Sequence, residues 1–167
     1  RLAEERGWSI APDGDRWRRV VASPEPQRIV EHEVIEQLVG SGVIVVCAGG
    51  GGVPVVQDAD GGLHGVEAVI DKDLTASLLA ATLHADGLLL LTDVPFVETD
   101  YGSPTSQPIV TTTAAELRGM RFAAGSMGPK VDAACRFVER TGRWAAIGAL
   151  SEAAAVVAGE SGTIITP

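Results

Sequence analysis

The stretch Gly65-Val66-Glu67-Ala68-Val69-Ile70-Asp71-Lys72-Asp73-Leu74 decides how this chain is organised. It is mostly apolar up to Ile70, then carries three consecutive charged residues, and continues into a segment rich in alanine and leucine. The apolar spacing after the charges predicts a helix over residues 71–84 that faces a sheet. An abrupt cluster of charge at the start of a helix is also a candidate place for chemistry.

The lysines of the chain are few, and one of them lies in this stretch. Of the 13 basic residues, only Lys72 and Lys130 are lysines, and the others are arginines. A lysine ammonium is compact, whereas the arginine guanidinium is planar, so the two lysines indicate positions where a point charge is needed. The alternative is an ordinary solvated or ion-paired lysine, and Asp71 and Asp73 flank Lys72 closely enough to neutralise it.

Lys130 lies in a second glycine-rich turn, Gly125-Ser126-Met127-Gly128-Pro129-Lys130, which also opens a helix. Pro129 suits the first helical position, because its missing N–H costs nothing there. Lys130 then falls in the first turn, where the helix dipole disfavours a cation unless an anion binds nearby.

Two apolar runs predict buried strands. Val43–Ala48 is bounded by glycines and is typical of a central parallel strand, and the glycines at 49–52 allow either an anion-binding backbone or a tight strand exit. Leu88–Leu91 predicts a second strand, followed by Thr92-Asp93-Val94 at its carboxyl end, where open α/β sheets bind ligands. A capping turn is the alternative there.

The other predicted elements are a helix at Ile29–Val39, a hairpin of Val53–Val56 with Leu63–Ile70, a helix at 113–120 with a Thr113/Glu116 capping box, a helix at Val131–Arg140, and a final strand, helix and strand between Trp144 and Ile165.

Composition excludes several classes of protein. The 167 residues suffice for one globular domain, 46% of them are hydrophobic, and no apolar stretch reaches the roughly 18 residues of a membrane span. A net charge of −9 argues against nucleic acid binding and requires local positive groups for any anionic ligand. Cys47 and Cys135 are expected to be core residues rather than a disulfide or metal pair, from which a cytoplasmic location follows. The pair Asp58/Asp60 fits a solvated loop tip better than a metal site.

Four blocks carry a family resemblance: Cys47–Val56, Gly65–Leu74, Leu91–Val94 and Gly125–Lys130. Their order and spacing resemble the carbamate kinases of the amino acid kinase family, from about Val20 to Thr163. The resemblance implies an α/β fold, a three-layer αβα sandwich with a mainly parallel central sheet (amino acid kinase-like), in a chain that lacks the family's amino-terminal half. It further implies that residues 1–28 are a remnant of the substrate-side lobe and its connector and that residues 29–167 form the nucleotide-binding domain. The first residue is Arg1, so we expect the sequence to begin part-way into a longer protein.

The resemblance also implies a reaction and its residues. Lys72 and Lys130 would stabilise reversible phosphoryl transfer between ATP plus carbamate and ADP plus carbamoyl phosphate, Asp73 would orient them, and Mg²⁺ would accompany the nucleotide without a protein metal ligand being assigned. The residues implied to bind nucleotide are Gly49, Gly50, Gly51, Thr92, Asp93, Val94, Tyr101, Gly125, Met127 and Gly128. Homodimers are common in this family, and no membrane partner is expected.

Two alternatives stay open at this stage. One is a kinase for another small carboxylic acid, and the other is a non-catalytic nucleotide-binding module derived from such an enzyme. Because the family's amino-terminal half has no counterpart here, we expect the chain to bind nucleotide but to show weak or no carbamate kinase activity alone.

Overall fold

A computed structural model describes residues 2–122 and 126–167, and within them the chain forms helices, strands and two short 3₁₀ turns. The helices are α1 (Leu2–Arg6), α2 (His32–Gly40), α3 (Lys72–Thr82), α4 (Ala114–Arg118), α5 (Met127–Thr141) and α6 (Ala153–Val157). The strands are β1 (Ile10–Asp13), β2 (Arg16–Arg19), β3 (Val55–Gln57), β4 (Leu63–Gly65), β5 (Gly87–Thr92), β6 (Val97–Thr99), β7 (Gln107–Ile109), β8 (Thr111–Thr113), β9 (Trp144–Ala149) and β10 (Thr163–Thr166). The 3₁₀ turns are Gly49–Gly51 and Leu150–Glu152.

The main sheet has four strands in the order β5-β9-β10-β8. β5 is parallel to β9, and β10 is parallel to β8, while β9 and β10 are antiparallel. The predicted strand, helix and strand at the end of the chain are therefore present, but the two strands run in opposite directions. With two of its three pairings parallel, the sheet agrees with the predicted mainly parallel arrangement. The hairpins β1–β2, β3–β4 and β6–β7 form separate two-stranded sheets.

Helices cover both faces of the sheet, which confirms the three-layer αβα sandwich. Successive side chains of a strand point to opposite faces. In β9, Ala145 and Ile147 belong to the core that includes residues of α5, whereas a Cβ added to Gly148 would meet Val156 of α6 on the other side. The absence of a side chain at Gly148 thus lets α6 approach the sheet.

The predicted helices on the first face are confirmed. The helix expected at 71–84 is α3, and the predicted apolar face of α5 is buried, with Val131, Ala134, Cys135 and Val138 between 0% and 5% exposed. One detail is wrong: α5 begins at Met127, so Pro129 is its third residue rather than its first. Proline is tolerated there, because the first-turn amides of a helix have no intrahelical partner.

The strand predicted at Val43–Ala48 is wrong. This segment has no strand, and within the described parts of the chain no backbone hydrogen bond involves residues 44–47. Ile44 and Val46 are 94% and 96% exposed, and Cys47 is exposed rather than part of the core. A strand exists only when a neighbour accepts its backbone hydrogen bonds, and no other described segment pairs with this one.

Burial divides the chain unevenly. Between residues 14 and 72 only Ile35 and Gly51 are buried, whereas the core cluster and the side chains packed on it come from residues 74–165. None of the described helices is both long and apolar enough to cross a membrane.

A buried threonine joins the β6–β7 hairpin to the main sheet. Thr163 of β10 is fully buried, and its hydroxyl accepts a hydrogen bond from the Val97 amide at 2.8 Å and donates one to the Ile109 carbonyl at 2.5 Å. Val97 is the first residue of β6 and Ile109 the last of β7, so the two face each other at the base of the hairpin. One hydroxyl therefore anchors the base of a loop whose tip carries Tyr101.

The glycine-rich turn contacts the start of α3. Gly51 has φ +96°, and its α-carbon lies so close to Ile70 that an added Cβ would be 2.1 Å from the Ile70 carbonyl oxygen. Its own carbonyl accepts a hydrogen bond from the Thr75 hydroxyl at 3.1 Å. Only glycine combines this backbone conformation with this contact.

We expect Gly51→Ala to destabilise the protein more than Gly52→Ala does. Gly52 also has a positive φ, +86°, but an added Cβ there meets nothing within 4 Å, so it isolates the effect of the contact. The Gly51 variant should lose about 1–3 kcal/mol more in free energy of unfolding, because backbone must shift to admit the Cβ. Urea denaturation of both variants measures the difference, and equal losses would contradict the close approach.

The predicted capping box of α4 is present, and it makes stability depend on pH. The Glu116 carboxylate accepts hydrogen bonds from the Thr113 amide and the Thr112 hydroxyl, which hold the pKa of Glu116 below its ordinary value of 4.5. A carboxyl whose pKa is lowered by folding stabilises the protein above its unfolded pKa, and that contribution is lost as the pH falls through the folded value.

Glu116→Gln should therefore lower the urea midpoint at pH 7, and the gap to the parent chain should narrow as the pH falls below 4.5. Glu160→Gln, which alters an exposed glutamate in the turn after α6, is the control and should leave the midpoint unchanged at both ends of the range. A gap of constant size from pH 7 to pH 3 would show that the carboxylate's charge is not what stabilises the cap.

Candidate functional site

An open cavity of about 950 Å³ lies where the starts of α3 and α5, the end of β5 and the β6–β7 hairpin meet. Eight of the residues proposed from the sequence line it. They are Lys72, Asp73, Thr92, Asp93, Val94, Tyr101, Met127 and Lys130. The structure thus brings together three sequence blocks that are widely separated along the chain.

The carboxylate of Asp73 lies between the two lysines. The Lys130 ammonium donates hydrogen bonds to both Asp73 carboxylate oxygens, at 3.0 and 3.1 Å, and the Lys72 ammonium lies 3.8 Å from one of them. The side chains of Asp73 and Lys130 are 9% and 12% exposed, whereas Lys72 is 65% exposed. The two ammonium groups therefore share one cleft, one held firmly by the carboxylate and the other reaching into solvent.

The first turn of α3 explains why Asp73 is available for this pairing. Asp71 is the N-cap, and its carboxylate accepts hydrogen bonds from the backbone amides of Asp73 and Leu74, both at 2.9 Å. Asp71 is thus occupied with the helix end and does not pair with Lys72. Asp73 is free to turn toward α5, and its negative charge is also favourable in the first turn of its own helix.

The start of α5 lacks the side-chain capping hydrogen bonds that Asp71 provides at the start of α3. Ser126 occupies the N-cap position but makes no side-chain capping hydrogen bond, and Ser126, Met127, Pro129 and Lys130 all line the cavity. The first-turn amides of a helix point outward and carry partial positive charge. Together with the two ammonium groups they place positive groups at the helix starts, in a cavity whose lining also includes five acidic residues and in a chain whose net charge is −9.

The opposite side of the cavity holds the Thr92-Asp93-Val94 block, at the carboxyl end of β5 as expected. The Thr92 hydroxyl donates a hydrogen bond to the Asp93 carboxylate at 3.0 Å, so the two side chains form one polar group at the strand end. Tyr101, on the loop between β6 and β7, is 74% exposed and borders the cavity. Glu98 and Asp100 also line the cavity, so this side offers hydroxyls, several carboxylates and an aromatic ring.

The remaining sequence-based candidates are placed differently. Gly49, Gly50, Gly51 and Gly128 are not among the residues that line the cavity, although the glycine-rich turn contacts α3, whose start forms one wall. Gly125 lies outside the described residues. The direct nucleotide contact expected of these glycines stays a prediction.

Sequence reasoning missed several lining residues, one of them on the short strand β6 and the others on irregular segments. Glu98, Thr105, Arg121 and Phe122 border the cavity, and Glu98 accepts a hydrogen bond from the Ser106 hydroxyl. They carry no periodic signal and no motif, so their position depends on how the loops fold back on the sheet. Among the described residues, no group of three or more histidine, cysteine or acidic side chains is arranged to hold a metal ion.

The Asp58/Asp60 turn behaves as a structural turn. The Asp58 carboxylate accepts hydrogen bonds from the amides of Asp60 and Gly62 and lies 2.7 Å from His64 Nε2. The hydrogen bond with His64, followed by that from Gly62, lowers the pKa of Asp58. Its acceptor positions thus hold the hairpin turn together, which favours the loop-tip interpretation.

Comparison with known proteins gives a consistent result. Residues 6–148 match the family model described as the amino acid kinase family. The chain is 51% identical to a carbamate kinase of Rhizobium meliloti over 167 residues, covering 99% of this chain and 52% of that protein. It is 49% identical to a carbamate kinase of Haemophilus influenzae over 166 residues, covering 99% of this chain and 54% of that protein.

Among solved structures, the carbamate kinase from Giardia lamblia bound to AMP-PNP is similar with a TM-score of 0.90 and 42% identity, covering 99% of this chain and 54% of that one. The chain thus spans about half the length of the curated relatives and solved structures that it matches. These matches confirm the family resemblance, and they agree with the predicted sandwich.

The two lysines should contribute very differently to stability. Lys130→Met removes the close partner of a buried carboxylate and should lower the free energy of unfolding by about 1–3 kcal/mol. Lys72→Met makes the same chemical change at an exposed position 3.8 Å from that carboxylate and should cost about 0.5 kcal/mol or less. Urea denaturation measures both. Equal costs would show that Asp73 does not discriminate between the two ammonium groups.

Proposed function

Because the chain belongs to the amino acid kinase family, we propose that it supports phosphoryl transfer of the carbamate kinase type, reversible between ATP plus carbamate and ADP plus carbamoyl phosphate. The observation that carries this proposal is the pairing of Lys72 and Lys130 with the single carboxylate of Asp73 inside the cavity. Phosphoryl transfer depends mainly on positioning the reactants and neutralising charge on the transferring group. Two ammonium groups at one cleft provide that neutralisation.

The burial of each side chain suggests its role. Lys130 is fixed by Asp73, so its ammonium is pre-organised and loses little freedom when a phosphate binds beside it. Lys72 is exposed and only loosely held, so it can turn toward a phosphate oxygen after the ligand enters. The Asp73 carboxylate offsets the mutual repulsion of the two ammonium groups, which allows them to lie close together.

The nucleotide fits with its phosphates at the lysines and its nucleoside at the Thr92–Val94 block. The cavity is within the range of sizes that hold small-molecule ligands, up to roughly 1,000 Å³. A solved relative, the Giardia lamblia enzyme, is bound to AMP-PNP, which supports use of an adenine nucleotide by the fold. We assign Asp93 and Tyr101 to the ribose and base side, and Met127 to the wall beside the phosphates.

Mg²⁺ enters this proposal only with the nucleotide. The described residues provide no three-ligand metal cluster, and the Asp73 carboxylate is already paired with ammonium groups. Mg²⁺ commonly keeps several waters and binds through substrate phosphates rather than through an all-protein cage. Its contribution when bound is to neutralise phosphate charge.

The proposal has three further parts. Residues 1–28 belong to a substrate-side lobe, the location is cytoplasmic, and the assembly is a homodimer.

The length of the chain bears on how much activity it shows. It spans about half the length of the carbamate kinases that it matches, and the described residues that line the cavity supply nucleotide-side groups rather than a recognisable carbamate site. We therefore propose nucleotide binding with weak turnover for these 167 residues. A non-catalytic nucleotide-binding module is the second candidate, favoured by the same observation.

Calorimetry with MgADP tests the binding step. We expect Lys130→Met to weaken binding about tenfold or more, since a charge-assisted contact with phosphate is worth about 1.5–3 kcal/mol. Arg140→Met is the matched control, because it removes one positive charge from the exposed far end of the same helix and leaves the cavity intact. Equal weakening in both variants would mean that long-range charge, not a cleft contact, governs affinity.

Synthesis of ATP from carbamoyl phosphate and MgADP then separates the two candidate functions. Turnover that disappears in Lys72→Met and Lys130→Met, with Arg140→Met unaffected, supports the kinase. MgADP binding without turnover supports the binding module. No MgADP binding by the parent chain would overturn both. Activity with another acyl phosphate but not with carbamoyl phosphate would identify a different acid as the acceptor.

A further inference from the structure

Arg121 is a cationic residue of the cavity to which the pairing of the two lysines gives no role. It lies after α4, it is exposed, and it is the only arginine among the described residues that line the cavity. No side-chain hydrogen bond or ion pair joins Arg121 to another described residue, whereas Lys130 and Lys72 both lie beside the Asp73 carboxylate. Arg121 therefore carries a positive charge that no described carboxylate neutralises by contact.

The charges of the lining explain why such a group matters. Three cationic residues of the described chain line the cavity, and they face five acidic ones, namely Asp71, Asp73, Asp93, Glu98 and Asp100. Over the whole cavity the carboxylates outnumber the cations, although the helix starts carry a local excess of positive charge. An anionic ligand therefore gains from each cation that reaches it directly.

The chain on either side holds the backbone of Arg121 in place. Arg118, the last residue of α4, donates hydrogen bonds to both carboxylate oxygens of Glu139 on α5, each at 3.0 Å. Phe122, which follows Arg121, packs against the core. Only residues 119–121 separate these two anchors, so this backbone has little freedom. Ordering the Arg121 side chain on a ligand thus costs less entropy than it would on a long loop.

We propose that Arg121 binds a phosphate group of the nucleotide and determines affinity for phosphorylated ligands at this site. The inference rests on the proposed function, which places the phosphates at the lysines of the same cavity. A planar guanidinium donates two parallel hydrogen bonds to one phosphate, and such charge-assisted bonds are stronger than neutral ones. Because Arg121 has no ion pair among the described residues, it supplies this contact without breaking one.

Two other roles of Arg121 predict different patterns of binding. If the guanidinium stays in solvent, its removal has only the weak, screened effect of losing any surface cation. If it stacks on the base, its removal weakens binding of adenosine as much as binding of ADP. A comparison of ligands with and without phosphate, and of a phosphate ligand without a nucleoside, separates these roles from the proposed one.

Calorimetry with MgADP and magnesium tripolyphosphate, together with ligand-observed NMR for adenosine, tests the proposal. Arg121→Met should weaken binding of both phosphate ligands about tenfold or more and change adenosine binding less than twofold. Arg140→Met is the matched control, because it removes the same charge from an exposed position on α5 outside the cavity, and it should change all three less than twofold. The urea midpoint of Arg121→Met should equal that of the parent chain, because no described partner is lost.

The proposal is overturned if the Arg121 and Arg140 variants weaken MgADP binding equally, if adenosine binding falls as much as MgADP binding, or if the urea midpoint drops. Weaker MgADP binding in Lys130→Met but not in Arg121→Met would overturn this inference alone and leave the proposed function standing. Tripolyphosphate binding that requires Arg121, in a chain that does not bind MgADP, would instead overturn the nucleotide function and support the phosphate contact. No binding of either phosphate ligand by the parent chain would overturn both.

Discussion

The ion pair between Asp73 and Lys130 is the constraint on which the candidate site depends. It joins the first turns of α3 and α5 through a carboxylate and an ammonium that are both nearly buried. Burying a lone ammonium is costly, and a paired one is tolerated only where the geometry is good. The requirement to pair Lys130 therefore fixes how the two helix starts meet. Lys72, which precedes Asp73 in α3, adds a second ammonium group beside the same carboxylate.

This arrangement would reconcile an acidic protein with the anionic ligand that we propose for it. At a net charge of −9 the long-range field repels phosphates, so attraction has to come from groups within a few ångströms. Two ammonium groups against one carboxylate leave a positive excess, and the uncapped start of α5 adds to it. The other lining carboxylates do not pair with these ammonium groups: Asp71 caps α3, Asp93 is bonded to Thr92, and Glu98 and Asp100 lie on or beside the β6–β7 hairpin.

Where the sequence was informative, the reason is local. The α3 and α5 helices and the β5 strand follow from apolar spacing, and the α4 cap follows from Thr113 and Glu116 three residues apart. The meeting of Lys72 and Lys130 was also foreseeable, since both lie in the first turn of a helix. The strand prediction for Val43–Ala48 was wrong, because an apolar run forms a strand only when a partner strand is present. Glu98 on the short strand β6 and Arg121 on an irregular segment border the cavity, and no periodicity in the sequence encodes either position.

The anchoring of the β6–β7 hairpin has a consequence for ligand exchange. The hydroxyl of Thr163 ties Val97 and Ile109 to the interior, so the hairpin cannot swing as a rigid flap about its base. Any movement of Tyr101 over a bound molecule has to arise between residues 100 and 106, where Asp100 already adopts a left-handed backbone with φ 47° and Gly102 has φ 81°. Binding and release of the proposed ligand would then depend on bending within a short tip, with the sheet and the helix starts left undisturbed.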